Sequence, residues 1–138
     1  MNIDSIKQGI VIDHIPAGQS MRLYGLLGLD QLDCTVAIIK NVKSRKMGRK
    51  DIIKVDEDIE IDLNILGFID PNITVNIIKH DVIVEKKHLS MPERVVNVLK
   101  CNNPRCITTT EQGLNQVFRL ADPARKQYRC IYCDAERR

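Results

Sequence analysis

Four of the five cysteines stand in two tight pairs, Cys101 with Cys106 in "KCNNPRC" and Cys130 with Cys133 in "RCIYC", and twenty-three residues join the pairs. Each short spacing lets one tight turn aim two sulfurs at a single point, and the long connection brings the two turns together. The expected product is a closed tetrahedral four-thiolate site, with about 2.3 Å from metal to sulfur, holding one structural zinc ion per chain. An iron–sulfur cluster takes the same ligands, and spacing alone does not separate the two. Disulfides fit poorly. The start "MNIDSIKQGIVIDHI" does not read as a signal peptide, and no apolar run is long enough to cross a bilayer. The expected address is therefore cytoplasmic, away from membranes, where thiols stay reduced. A Cys-x-x-Cys redox pair wants a helix behind it, and "YRCIYCDAERR" offers no helix-starting pattern.

The size of the tail explains the need for metal. Its sizeable apolar side chains are Ile107, Leu114, Val117, Phe118, Leu120, Tyr128, Ile131 and Tyr132. So few cannot close a core in a module this short, whereas a structural zinc supplies an apparent ~10–16 kcal/mol. Cys34, in "LDCTVAIIK", stands outside the set and reads as a small core residue.

Charge argues against a nucleic-acid partner. Residues 1–100 carry 14 Lys/Arg and 14 Asp/Glu; residues 101–138 carry 7 and 4, which a four-thiolate metal group reduces further. A zinc-ribbon nucleic-acid-binding protein, the main alternative, wants a basic stripe with stacking aromatics. Tyr24, Phe68, Phe118, Tyr128 and Tyr132 do not cluster with the one basic block, residues 40–54.

Before the cysteines the chain alternates short β-patterned runs, "GIVIDHI", "TVAIIKNV", "DIIKVDE", "ITVNIIK" and "DVIVEKK", with turn material such as "PAGQS", "SRKMGRK" and "DPN". Met21, Leu23, Leu26, Leu27 and Leu29 make an approximate helical stripe, with Ser20 suited to cap it and Gly28 to close it. In "DEDIEIDLNILGFIDPN" a strand is expected to pass into a short helix near Asn64. "SMPERVVNVLK" reads as a hinge with a turn of helix started by Pro92. The fold class is therefore α+β. An N-terminal antiparallel sheet with helices on one face, ferredoxin-like, spans residues 1–94, and a small all-β four-cysteine zinc domain spans 95–138.

On a strand, Lys50, Ile52 and Lys54 share one side, suited to a phosphate and a ring; on the residues alone a solvated loop with charged sides is the favoured explanation. Asp13 and His14 are adjacent and so face opposite ways. No nucleophile–base set, glycine-rich phosphate loop or carboxylate pair stands anywhere in the chain, so it does not read as a catalyst.

The stretches "GIVIDHIPAG", "MGRKDIIK", "PNITVN", "MPERVVNVLKC" and the Cys-x4-Cys and Cys-x2-Cys pairs, in this order, resemble the regulatory chain of aspartate carbamoyltransferase, the enzyme of an early committed step of pyrimidine biosynthesis. The resemblance implies a non-catalytic allosteric subunit that binds CTP and ATP, with UTP a further candidate. It implies a zinc domain docked on a separate catalytic chain, and a regulatory homodimer within a hetero-oligomer. Carried over by position, the nucleotide contacts are Ile6, Asp13, His14, Lys50, Lys54, Asn76, Ile78 through its backbone, and Lys86. Asp13 faces ribose hydroxyls, Lys86 and His14 the phosphates, and Lys54 the base edge. Asn103, Arg105 and Glu111, in and after the first cysteine loop, are the candidates for contact with the partner.

Overall fold

The five β-patterned runs pair into one antiparallel sheet because each carries an apolar residue at every second position and is bounded by turn residues. The computed structural model describes residues 8–137, so Ile6 lies outside the described residues. Its strands are β1 (Gln8–Pro16), β2 (Val36–Ser44), β3 (Gly48–Val55), β4 (Thr74–Lys79) and β5 (Val82–His88), in the order β2-β3-β1-β4-β5. Helix α1 (Ser20–Leu26) follows β1, and α2 (Leu63–Ile69) precedes β4. The first four strands and two helices give the β-α-β-β-α-β arrangement of a split βαβ domain; β5 extends it beyond β4. These elements belong to the first of two compact units, Met1–Ser90 and Met91–Arg138.

Period-two alternation sorts the two faces of this sheet. Ile10, Ile12 and Ile15 of β1, Ile53 and Val55 of β3 and Val75 of β4 form the core with Leu23 of α1, Leu66 of α2 and Leu29. A bulge between Ile12 and Ile15, with His14 at φ 59°, returns Ile15 to the core side. Val11, Asp13, Lys54 and Asn76 consequently lie on the face away from the helices.

Two local expectations change. Ser20 is the first residue of α1, preceded by Gln19, which makes no side-chain cap. Its hydroxyl instead donates to the buried Asp51 carboxylate, 2.6 Å away. A carboxylate from another strand thus serves the helix start. Gly28, at φ 69°, does close the helix, in the left-handed conformation that glycine adopts without strain. In "DEDIEID" no strand forms, and the helix starts at Leu63. Asp62 Oδ1 accepts from the N–H groups of Asn64 and Ile65, so the cap sets the boundary. Ile59 and Ile61 still pack against the core, as irregular chain with acids between them. The alternation was real, but it served packing without a ladder.

The second unit holds a four-stranded antiparallel sheet, β6 (Arg94–Val96), β7 (Val117–Asp122), β8 (Gln127–Cys130) and β9 (Glu136–Arg137), in that order. Where Pro92 was expected to start a turn of helix, the chain enters β6. Two successive β-branched residues favour a strand; Val95 is buried opposite Phe118. Arg94, at the expected end of the first domain, pairs with Arg119 in this unit. The unit is β-rich except for one turn of helix, α3 (Ile107–Thr110), behind the first cysteine loop. Among its large side chains only Phe118 and Tyr128 are fully enclosed, and the Tyr128 hydroxyl donates to the Pro92 carbonyl at 2.7 Å. Among the described residues no helix is long and apolar enough to cross a membrane.

Candidate functional site

The two cysteine loops meet. Sulfur atoms of Cys101, Cys106, Cys130 and Cys133 all lie within 4.8 Å of one another. Cys101 and Cys133 are 3.5 Å apart, and Cys106 and Cys130 are 3.7 Å apart. A tetrahedron with arms of about 2.3 Å sets its sulfurs about 3.8 Å apart, so these donors fit a zinc ion with little adjustment. The first three cysteines are buried. Four thiolates leave no open position, which makes the centre structural.

Backbone geometry shapes each loop. The N–H groups of Thr109 and Thr110 both bond the Cys106 carbonyl, so α3 starts directly behind that sulfur. In the second loop Asp134 stands at φ 65° and its N–H returns to the Cys130 carbonyl, while Cys130 N–H reaches Ala135. Cys101 N–H donates to Gln116 Oε1 at 3.0 Å, and the Thr108 hydroxyl lies 3.1 Å from Cys106 Sγ. In the metal-free chain burial pushes the Cys101 thiol up to about 12, whereas the Thr108 hydroxyl draws the Cys106 thiol down to about 6. Uptake of a divalent ion must therefore expel protons, so metal binding tightens as pH rises.

Four of the apolar side chains counted for the tail point outward: Ile107, Leu114, Ile131 and Tyr132. The enclosed Val95, Leu99, Phe118 and Tyr128 contribute ~1.5–3 kcal/mol each. Against these the metal is the larger single term. Of the candidate partner contacts, Arg105 and Glu111 are exposed. Asn103 is half-buried and organises the loop: its carbonyl side-chain oxygen accepts from Arg105 N–H, and its backbone carbonyl accepts from Cys106 N–H and the Thr109 hydroxyl.

In the first unit, strand register assembles several of the other candidates. Lys54 of β3 stands opposite Val11 of β1, Val11 opposite Asn76 of β4, and Asn76 opposite Lys86 of β5. Directly opposed residues share a face, so one rung crosses four strands on the side away from the helices. One rung along, Asp13 stands opposite Thr74. The Lys50 ammonium makes a 2.9 Å ion pair with Asp13. Burial alone would raise the Asp13 carboxyl, but Lys50 and the His14 N–H together hold it below its usual range. His14 Nδ1 hydrogen bonds the Thr74 hydroxyl at 3.0 Å. Ile78 sits opposite Gly9 at the far end of the same strand pair. One atom stands out: Asn76 Oδ1 is buried and has no hydrogen-bond partner among the described residues. Such an acceptor costs ~1–3 kcal/mol unless something donates to it. Thr74, Thr108 and Gln116 were not singled out in the sequence, where single hydroxyl and amide residues carry no distinguishing pattern.

Two family descriptions together cover nearly all of the chain. The aspartate carbamoyltransferase regulatory chain, allosteric domain, matches residues 1–90, and the metal binding domain of the same chain matches residues 93–138. Curated relatives agree. The aspartate carbamoyltransferase regulatory chain of Clostridium botulinum (strain Hall) is 49% identical over 134 residues, 97% of this chain and 92% of its own length. That of Clostridium tetani is 47% identical over 135 residues, covering 97% and 94%. That of Bifidobacterium longum is 46% identical over 136 residues, covering 99% and 98%. The small net charge of the tail, the closed thiolate set and the absence of a catalytic constellation in the sequence fit these matches, and the chain belongs to the family of aspartate carbamoyltransferase regulatory chains, non-catalytic subunits with an allosteric and a metal-binding domain.

Proposed function

We propose that the first unit senses a nucleoside triphosphate, CTP or ATP with UTP a further candidate, on the sheet face opposite the helices. The single observation that carries this reading is the buried Asn76 Oδ1, without a hydrogen-bond partner among the described residues, lying in one rung with Lys54 and Lys86. Such an acceptor in one rung with two ammonium-bearing residues suits a ligand that brings both a base N–H and phosphates. In this reading Lys54, Asn76 and the Ile78 backbone read the base, Asp13 accepts from ribose hydroxyls, and Lys86 and His14 face the phosphates. Lys50 trades part of its ion pair with Asp13 for the ligand. Ile6, outside the described residues, completes the set from the N-terminal side.

The bound nucleotide acts by favouring one of two quaternary arrangements over the other. The assembly is read as cytoplasmic. The first unit forms the sensor and the second, which "MPERVVNVLK" opens, the handle on the catalytic chain. Exposed Ile107, Ile131 and Tyr132, close to the cysteines in sequence, supply an apolar surface for that docking beside Asn103, Arg105 and Glu111. Regulatory chains pair through β5, an edge strand on which Val82, Ile83 and Val84 are all more than half exposed. An apolar edge of this kind invites a second strand.

Calorimetric titration of CTP into the zinc-loaded chain tests the pocket. Removing one charge-assisted contact by Lys86→Ala should weaken binding about 10- to 100-fold. Unchanged affinity would overturn the assignment of this face.

A further inference from the structure

The four cysteines account for the metal's ligands but leave one buried group beside them unexplained. Thr108 is one of three polar or charged residues among the described residues that are buried, at 8% exposure. Its hydroxyl is 3.1 Å from Cys106 Sγ, a sulfur that is itself 1% exposed. The position is held from several directions. Thr108 sits in the single turn of α3, whose first residue follows Cys106 directly. Gln116 Nε2 donates to the Thr108 carbonyl at 3.5 Å while Gln116 Oε1 accepts from Cys101 N–H. One amide side chain therefore ties the segment bearing Thr108 to the backbone of the other cysteine in the first loop.

We propose that the Thr108 hydroxyl is a positioning donor to the Cys106 thiolate, and that this hydrogen bond slows loss of the bound metal. The inference rests on the four-cysteine assignment and adds to it a residue that does not touch the ion. A thiolate bound to a cation still carries lone-pair density, and a proton captured there weakens the sulfur's hold on the metal. A hydroxyl aimed at that density occupies it and also fixes the side-chain rotamer. Outer partners of this kind typically change metal affinity 10- to 100-fold. Gln116 acts one step further out, by keeping α3 in place.

The test compares three substitutions in the full zinc-loaded chain. Thr108→Ser keeps the hydroxyl and drops a methyl. Thr108→Ala drops both, and Thr108→Val keeps the volume without the hydroxyl. Zinc transfer to a chromogenic chelator is expected to proceed about 10-fold faster or more in the alanine and valine chains and at the parental rate in the serine chain. With cobalt in place of zinc, the sulfur-to-metal charge-transfer band should move to longer wavelength in the same two variants, because the sulfur lone pairs lose a stabilising donor. A merely space-filling role does not move that band, and the serine and alanine chains suffice if the valine chain takes up no metal. Parental release rates in alanine and valine, or a serine chain that loses metal as fast as alanine, would overturn the proposal. Failure of the parental chain to bind any metal would instead remove the four-cysteine site itself.

Discussion

Asp51 offers the sharpest prediction about the fold. Its carboxylate is fully buried and lies on the core side of β3, opposite Ile15. It accepts four hydrogen bonds. Gly18 N–H, Ser20 N–H and the Ser20 hydroxyl reach Oδ2 at 3.1, 3.3 and 2.6 Å, and Asn41 N–H reaches Oδ1 at 2.8 Å. These donors come from the β1–α1 turn, the start of α1 and the β2 bulge, where Asn41 stands at φ 62°. Asp51→Asn preserves shape and one carbonyl oxygen. In the better orientation that oxygen stays at the Oδ2 position, and the new amide group meets Asn41 N–H, donor against donor. One buried N–H left unsatisfied costs ~1–3 kcal/mol. The other three bonds fall from charge-assisted strength, ~1.5–3 kcal/mol, toward the neutral ~1 kcal/mol. The total lies between about 2.5 and 9 kcal/mol. For a unit of this size even the lower figure lowers Tm by about 10 °C or more, readable in urea or thermal unfolding of the zinc-loaded chain by far-UV circular dichroism. The pH dependence has a definite sign. Burial alone would raise this carboxyl, but the Ser20 hydroxyl and the three backbone N–H groups hold it below its usual value. Its contribution is therefore present above the unfolded value near 4 and is lost as pH falls through the folded one. The gap between parent and variant should shrink in acid. A variant within ~1 kcal/mol of the parent at neutral pH would show that the carboxylate is not the tie it is argued to be.

Three further outcomes follow from the same geometry. Chelation should unfold the second unit, whose enclosed apolar side chains are few, and abolish co-elution with the catalytic chain in gel filtration, while the β-sheet signal of the first unit persists; a metal-free second unit with native amide dispersion contradicts this. The two-residue β4–β5 turn places His80 and Asp81 at φ 54° and 65° with no glycine. A type I′ turn prefers Asn-Gly there, so the double change His80→Asn, Asp81→Gly should add about 1 kcal/mol of stability and raise the urea midpoint accordingly; an unchanged or lower midpoint speaks against turn strain. Ile83→Lys on the β5 edge places a charge on a strand that a second copy is proposed to cover. It should shift sedimentation from dimer to monomer at equal concentration, and a dimer of unaltered affinity rules out that edge.

What was legible in the sequence was whatever depends on neighbours close in the chain. Two cysteine pairs at short spacing announce their own chemistry, because a tight turn fixes both sulfurs whatever surrounds it. Alternating isoleucines and valines located all five strands of the first unit for a similar reason. The misreadings arose where two local rules competed. Ile59 and Ile61 alternate like a strand, yet the capping carboxylate of Asp62 decides where regular structure begins. Pro92 suggested helix, but Val95 is needed against Phe118. The sheet face away from the helices, proposed above to take the nucleotide, belongs to a third kind. Asn76, read alone, is a polar residue in an apolar run and looks solvent-directed. Its meaning depends on Val11 sixty-five residues earlier and Lys86 ten residues later arriving in the same rung. A slip of one residue in either pairing would turn that face over and send Lys86 to the helix side. The bulges at Ile12/Ile15 and Ile77/Ile78, one beside His14 and one beside Asn76, interrupt the register at just these places. They permit a sheet with its core on one side to hold, on the other, two ammonium-bearing residues and an acceptor that has no partner among the described residues. That juxtaposition is a property of topology, and only the folded chain displays it.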